Sequence, residues 1–129
     1  MVIADTSVWI PFFIRPASRE KHALDALIDA DELVLVGVVL AELLQGCRSR
    51  EERDDLKDVL LALPYLEATK STWGAAGELS CSLLRRGVTL PMSDVLIASL
   101  ALEHNCAVYS LDGDFRKIPE LARYDPGHS

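Results

Sequence analysis

The stretch Leu90-Pro91-Met92-Ser93-Asp94-Val95-Leu96-Ile97-Ala98-Ser99-Leu100-Ala101-Leu102 constrains the fold more than any other part of the chain. Pro91 closes off what precedes it, Ser93 offers an N-cap, and a run of helix formers follows. Past Asp94, only Ser99 interrupts the apolar residues up to Leu102. A helix apolar on nearly all sides has no face to give to water, so it must be buried on nearly all sides. One carboxylate, Asp94, falls in its first turn. Free backbone N–H groups and the helix dipole make that a tolerable place for an anion.

A helix so enclosed needs layers around it, and the rest of the chain supplies them. Val2-Ile3-Ala4 reads as a short strand ended by Asp5. Thr6 and Ser7 offer caps to a helix through Val8, Trp9 and Ile10, which Pro11 limits or kinks. Ser18 opens a second helix with Ala23, Leu24, Leu27 and Ile28 at helical spacing. Leu33-Val34-Leu35-Val36 is a second strand, followed by a helix over Val38–Gly46. Ser49 caps a fourth helix with a stripe of Leu56, Val59, Leu60 and Leu63. Residues 64–67 allow a minor strand. Thr69–Arg86 is helical, with Gly74, Ala75, Ala76 and Gly77 suited to close packing, and Gly87 ends it. Cys106–Ser110 is the last strand. Leu111–Phe115 turns into a short helix stopped by Pro119, and a polar, frayed tail begins at Arg123. Strand–helix alternation of this kind implies an α/β layered domain with a mostly parallel sheet. With 129 residues, 50% of them hydrophobic, the chain suffices for one domain spanning 1–129.

In a parallel sheet, residues just past the strand ends and in the first turns of the following helices share one edge, where ligand sites sit. Asp5 ends the first strand and Asp112 follows the last. Glu42 lies one turn into the helix after the second strand, and Asp94 begins the buried helix. Glu42, flanked by apolar residues on both sides, reads as a carboxylate buried at a cost that needs a purpose. Singly, each acid reads as a cap or turn residue; together they would repel one another unless protonated or neutralised by a cation. No lysine or arginine lies within four residues of Asp5, Glu42 or Asp94. Oxygen-only ligands select hard cations such as Mg²⁺ or Mn²⁺. Such a site, with no nucleophilic Ser or Cys and no basic His among its residues, fits metal-assisted phosphodiester hydrolysis.

Other chemistries have less support. The cysteines Cys47, Cys81 and Cys106 are odd in number and form no CxxC pair, and His22, His104 and His128 complete no zinc spacing. The cysteines read as free, mostly buried thiols in a reducing compartment. No apolar run reaches membrane-spanning length and the N-terminus has no signal-peptide pattern, so a cytoplasmic location is expected. A net charge of −7 argues against nucleic-acid binding by bulk electrostatics and suits a metal site or a basic partner.

Four motifs in series resemble one family. They are Val2-Ile3-Ala4-Asp5-Thr6-Ser7-Val8-Trp9, Val39-Leu40-Ala41-Glu42-Leu43-Leu44-Gln45-Gly46, Leu90-Pro91-Met92-Ser93-Asp94-Val95-Leu96-Ile97-Ala98 and Ser110-Leu111-Asp112-Gly113-Asp114-Phe115. In order and spacing the chain resembles PIN-domain ribonucleases, and among them the VapC-type toxins of bacterial toxin–antitoxin pairs, over about residues 1 to 118. The resemblance implies a PIN-like three-layer domain, with a central twisted sheet flanked by helices. It implies a Mg²⁺- or Mn²⁺-dependent endoribonuclease whose metal-binding acids are Asp5, Glu42, Asp94 and Asp112, with Asp114 nearby. Ser7 and Ser110 take supporting positions; Ser110 stands where the family more often has Thr. The resemblance also suggests an RNA substrate, a homodimer and a cognate antitoxin of VapB type.

Two further expectations follow. Asp112, first after the strand, should outweigh Asp114. The cluster of Trp9, Ile10, Phe12, Phe13 and Ile14 should offer a groove for an amphipathic antitoxin helix, with Trp9, Phe12 and Phe13 as its contacts. Competing readings are an aspartate-based Mg²⁺ phosphoacceptor or phosphatase and a catalytically inactive PIN-like binding module. The former lacks its signatures: a dehalogenase-like site needs an Asp at the position of Ser7, and a receiver domain needs a lysine after its late strand. The latter has no reason to keep four mutually repelling carboxylates.

Overall fold

The strand that ends in Asp5 lies inside the sheet. In a computed structural model of the chain, residues 1–127 are described; His128, and with it the expectation about its part in a zinc set, lies outside them. β1 (Val2–Ala4) pairs in parallel with β2 (Leu33–Val36) on one side and β4 (Ala107–Tyr109) on the other. The two-residue β3 (Tyr65–Leu66) adds in parallel to the outer edge of β2, giving the order β3-β2-β1-β4. Every residue of β1 and β2 is buried, which is why these segments read as continuous apolar runs with no alternation.

Six helices flank the sheet. α1 is Thr6–Ile14, α2 Arg19–Asp29, α3 Gly37–Gln45, α4 Arg50–Leu60, α5 Lys70–Arg85 and α6 Met92–His104. A 3₁₀ turn, Gly113–Lys117, follows β4. Several caps form where hydroxyls precede helical patterns: Ser18 accepts from Lys21 N, Ser49 from Glu52 N, and Thr69 and Thr72 form a reciprocal capping box. The helices pack in two groups, α1 with α2 and α3, and α5 against α6. In α6, all seven residues from Val95 to Ala101 are buried, and Ser99 satisfies its hydroxyl by donating to the Val95 carbonyl at 2.8 Å. No helix among the described residues is long and apolar enough to cross a membrane.

Several expectations need correction. The cap of α6 is Pro91, whose φ of −56° suits a helix start, so Ser93 lies inside the first turn. Pro11 does not end α1, which continues to Ile14. The Gly74–Gly77 stretch is not a site of close packing: nothing lies within 4 Å of a Cβ built on either glycine, and of its alanines only Ala76 is buried. Cys81 is exposed and Cys47 half-buried, leaving only Cys106 buried. Of the tail, residues 123–127 are anchored rather than frayed. Tyr124 N donates to the Val108 carbonyl at 2.8 Å, and Arg19 Nη2 donates to the Gly127 carbonyl at 2.8 Å.

Trp9 and Phe12 are only 1% and 8% exposed, so both belong to the core and neither offers a contact to a partner. Composition marks that segment as apolar, but the helical period turns Val8, Trp9 and Phe12 inward together. Ile10, Phe13 and Ile14 take the outer face and remain exposed, Ile14 at 66%.

Candidate metal centre

Asp5 is held where three elements meet. Its backbone N–H donates to the Tyr109 carbonyl at 3.0 Å, which ties the C-terminal ends of β1 and β4 together. It is also the N-cap of α1. Its Oδ1 accepts from the Ser7 N–H at 3.1 Å and the Ser7 hydroxyl at 2.5 Å; its Oδ2 accepts from the Ser110 hydroxyl at 2.6 Å. The same two hydroxyls accept in turn. Ser7 Oγ takes Leu111 N–H and Ser110 Oγ takes Asp112 N–H, both at 2.9 Å. One buried carboxylate therefore fixes the loop that carries Asp112. Each carboxylate oxygen can accept about two hydrogen bonds, so Oδ2 keeps capacity for a further ligand.

Asp112 caps the 3₁₀ turn by accepting Asp114 N–H at 3.0 Å. This turns Asp114 toward the first turn of α6. Oxygens of Asp94, Asp112 and Asp114 all lie within 4.8 Å of one another. The Asp94 carboxyl is pushed up to about 7. Burial is the main cause, followed by a hydrogen bond shared with Asp114 and the charges of Asp112, Asp114 and Asp5. Burial also raises Asp5, against the lowering effect of its bonds to Ser110 and Ser7. Without a cation, the cluster relieves its repulsion by holding a proton.

The four acids expected to converge therefore do so only in part. Asp94 and Asp112 come together, and the third member of their cluster is Asp114. Asp5 stands outside that trio and acts on it through Ser110 and through its charge. Glu42 is exposed, because Val39 and Leu43 form the buried stripe of α3. The cost of burying it is therefore no argument for its role. It accepts a hydrogen bond from the Thr6 hydroxyl at 2.8 Å. Thr6 escaped the sequence reading because a hydroxyl beside Asp5 looked like a cap, a role that Asp5 itself takes. Asp112 and Asp114 differ in their surroundings: Asp112 is exposed and gives one oxygen to capping, whereas Asp114 is half-buried in the same carboxylate cluster as Asp94.

The donor set fits a hard divalent cation. All three clustered groups are carboxylates, the donor type that Mg²⁺ and Mn²⁺ prefer. The nearest cationic group, Lys117 Nζ, lies 3.5 Å from Asp114 Oδ1 and is largely exposed.

Comparisons of sequence and structure identify the family and the fold. The PIN domain family model matches residues 2–121, and the chain belongs to the PIN domain family. Among its relatives is Ribonuclease VapC11 of Mycobacterium tuberculosis, 26% identical over 125 residues and covering 94% of this chain and 93% of the relative. Ribonuclease VapC21 of the same organism is 28% identical over 106 residues, covering 80% and 77%. Among solved structures, DNA-bound VapBC from Salmonella typhimurium has a TM-score of 0.84 at 18% identity, covering 98% of each chain. VapBC2 of Rickettsia felis, bound to a DNA fragment from its promoter, has a TM-score of 0.82 at 23% identity, covering 96% of this chain and 98% of that one. These structures share the fold.

Proposed function

We propose that this protein is a Mg²⁺- or Mn²⁺-dependent endoribonuclease, the toxin of a type II toxin–antitoxin pair. The observation that carries the reading is the Asp94–Asp112–Asp114 cluster at the C-terminal edge of a PIN-domain sheet, with Asp5 locked beside it by Ser7 and Ser110. Relatives that bear the ribonuclease name over nearly the whole chain support it. A bound Mg²⁺ or Mn²⁺ would neutralise charge on the reacting phosphate and lower the pKa of a water. Asp94, Asp112 and Asp114 would hold the ion. Asp5 would complete the site through Oδ2, and its serine bonds keep it from turning away. Glu42, steered by Thr6, would orient the attacking water or a ligand water from the α3 side. Ser7 and Ser110 would act as positioning residues through Asp5.

The partner side of the reading rests on the outer face of α1. Ile10, Phe13 and Ile14 form an exposed apolar strip, which a VapB-type antitoxin helix would cover. A basic residue of that partner would compete with the cation for the carboxylates, so inhibition should weaken as Mg²⁺ is raised. A homodimer and a cytoplasmic location complete the proposal. The test is induction of the protein in cells and mapping of cleavage sites in total RNA, beside an Asp5→Asn variant. Discrete new 5′ ends with the wild type and none with the variant are expected. Identical RNA profiles would refute the assignment.

A further inference from the structure

We propose that the cleft beside Asp112 is the track for the single-stranded RNA flanking the scissile phosphate, with Arg116 and Arg123 as its phosphate contacts. This rests on the ribonuclease reading above. The cleft has a volume of about 640 Å³ and shares one residue with the acid cluster, Asp112, in its wall. Its floor includes Tyr109 and Tyr124, whose rings are 5.0 Å apart. Tyr109 is buried and backs the half-buried Tyr124, so Tyr124 is the ring that a nucleobase would lie against.

Three arginines line the cleft, and they are not equivalent. Arg19 is spent on the tail, donating to the Gly127 carbonyl at 2.8 Å and facing Asp125 at 3.6 Å. Arg116 and Arg123 are exposed, and neither has a carboxylate within ion-pair distance among the described residues. Glu20, Asp112 and Asp125 also line the cleft; Asp125 faces Arg19, and the other two acids leave Arg116 and Arg123 without an ion-pair partner. The chain carries a net charge of −7, which repels RNA in general. Two unpaired arginines next to the clustered acids are therefore a local exception, and guanidinium is suited to bidentate contact with phosphate.

Both arginines are also placed rigidly relative to the acids. Arg116 sits on the 3₁₀ turn that Asp112 caps and that carries Asp114. Arg123 forms a bridge to Val108 in β4, the strand that leads to Ser110. A phosphate held by either one keeps a fixed offset from the cluster.

The test compares wild type with Arg116→Ala/Arg123→Ala in the full chain. The binding probe is a fluorescein-labelled single-stranded RNA of about 12 nucleotides, titrated in EDTA between about 50 and 200 mM salt. Losing two phosphate contacts should flatten the salt slope by about 1.4, at about 0.7 per contact, and weaken binding about tenfold at the low-salt end. In Mg²⁺, KM for cleavage of total RNA should rise while kcat holds. Arg116→Lys/Arg123→Lys should restore the slope, and Arg85→Ala/Arg86→Ala, outside the cleft, should leave both readouts unchanged. If wild type cleaves RNA and the alanine variant matches it in slope and KM, the cleft assignment fails while the ribonuclease reading stands. The same result with weakened antitoxin inhibition would assign the arginines to a protein partner and also overturn the proposal. If wild type cleaves no RNA in Mg²⁺ or Mn²⁺, the ribonuclease reading itself fails.

Discussion

Asp94 combines a buried helix start, a shared hydrogen bond and three like charges, and its carboxyl rises from the usual 3.8 to about 7. The folded state then keeps a proton that the unfolded chain has released. Metal-free stability is therefore full below about pH 4 and is lost as pH rises toward 7. In EDTA, the melting temperature should fall by about 3–6 °C between about pH 5 and pH 8. Asp94→Asn should remove most of that slope, hold or raise metal-free stability, and abolish cleavage. A flat wild-type profile, or an unfolded variant, would contradict this account of the residue. The half-buried place of Asp114 beside Asp94 carries its own expectation. In single-turnover cleavage, Asp114→Asn should cost at least as much as Asp112→Asn, about 100-fold or more in rate. A clearly larger loss for Asp112→Asn would restore the ranking suggested by chain order alone.

At the scale of elements, α1 and α3 are coupled through one hydrogen bond, Thr6 to Glu42. Thr6→Ala should reduce cleavage about 3- to 30-fold with melting temperature nearly unchanged, and Thr6→Ser should recover most of the activity. Equal losses for both variants would mean that the hydroxyl does not position Glu42. The elements differ in how legible they were. α6 was legible because its apolar density leaves little to expose, and Ser18 and Ser49 announced their helices because a capping hydroxyl has a local signature. The cap of α6 was not, since Pro91 and Ser93 are both good helix-start residues and only the backbone decides. The inward turn of Trp9 and Phe12 was hidden because a segment apolar throughout carries no periodic contrast. The exposure of Glu42 and the anchoring of the tail depend on neighbours distant in sequence. That Asp5 and Asp112 lie at one edge was legible because a parallel sheet sends its strand ends there, whereas the place of Asp114 beside Asp94 depends on a turn set by a side-chain cap.

For the whole molecule, the proposed function asks a chain of net charge −7 to handle an anionic substrate and a basic partner with the same acidic edge. A cation at the carboxylates would reverse the local sign for RNA, and its loss would favour the partner. Antitoxin inhibition should thus relax as Mg²⁺ is raised, and Phe13→Ala/Ile14→Ala should weaken the complex about tenfold or more by pull-down or calorimetry without lowering basal cleavage. A complex indifferent to both changes would place the antitoxin elsewhere. The central claim, that these carboxylates hold the cation that makes this PIN domain a ribonuclease, is tested most directly by cleavage of total RNA with purified protein. Wild type and Asp94→Asn would be compared in Mg²⁺, in Mn²⁺ and in EDTA. The account predicts cleavage by wild type with either metal, none in EDTA, and none by the variant under any condition. Cleavage that persists in EDTA or in Asp94→Asn, or wild type that cleaves nothing with either metal, would contradict it.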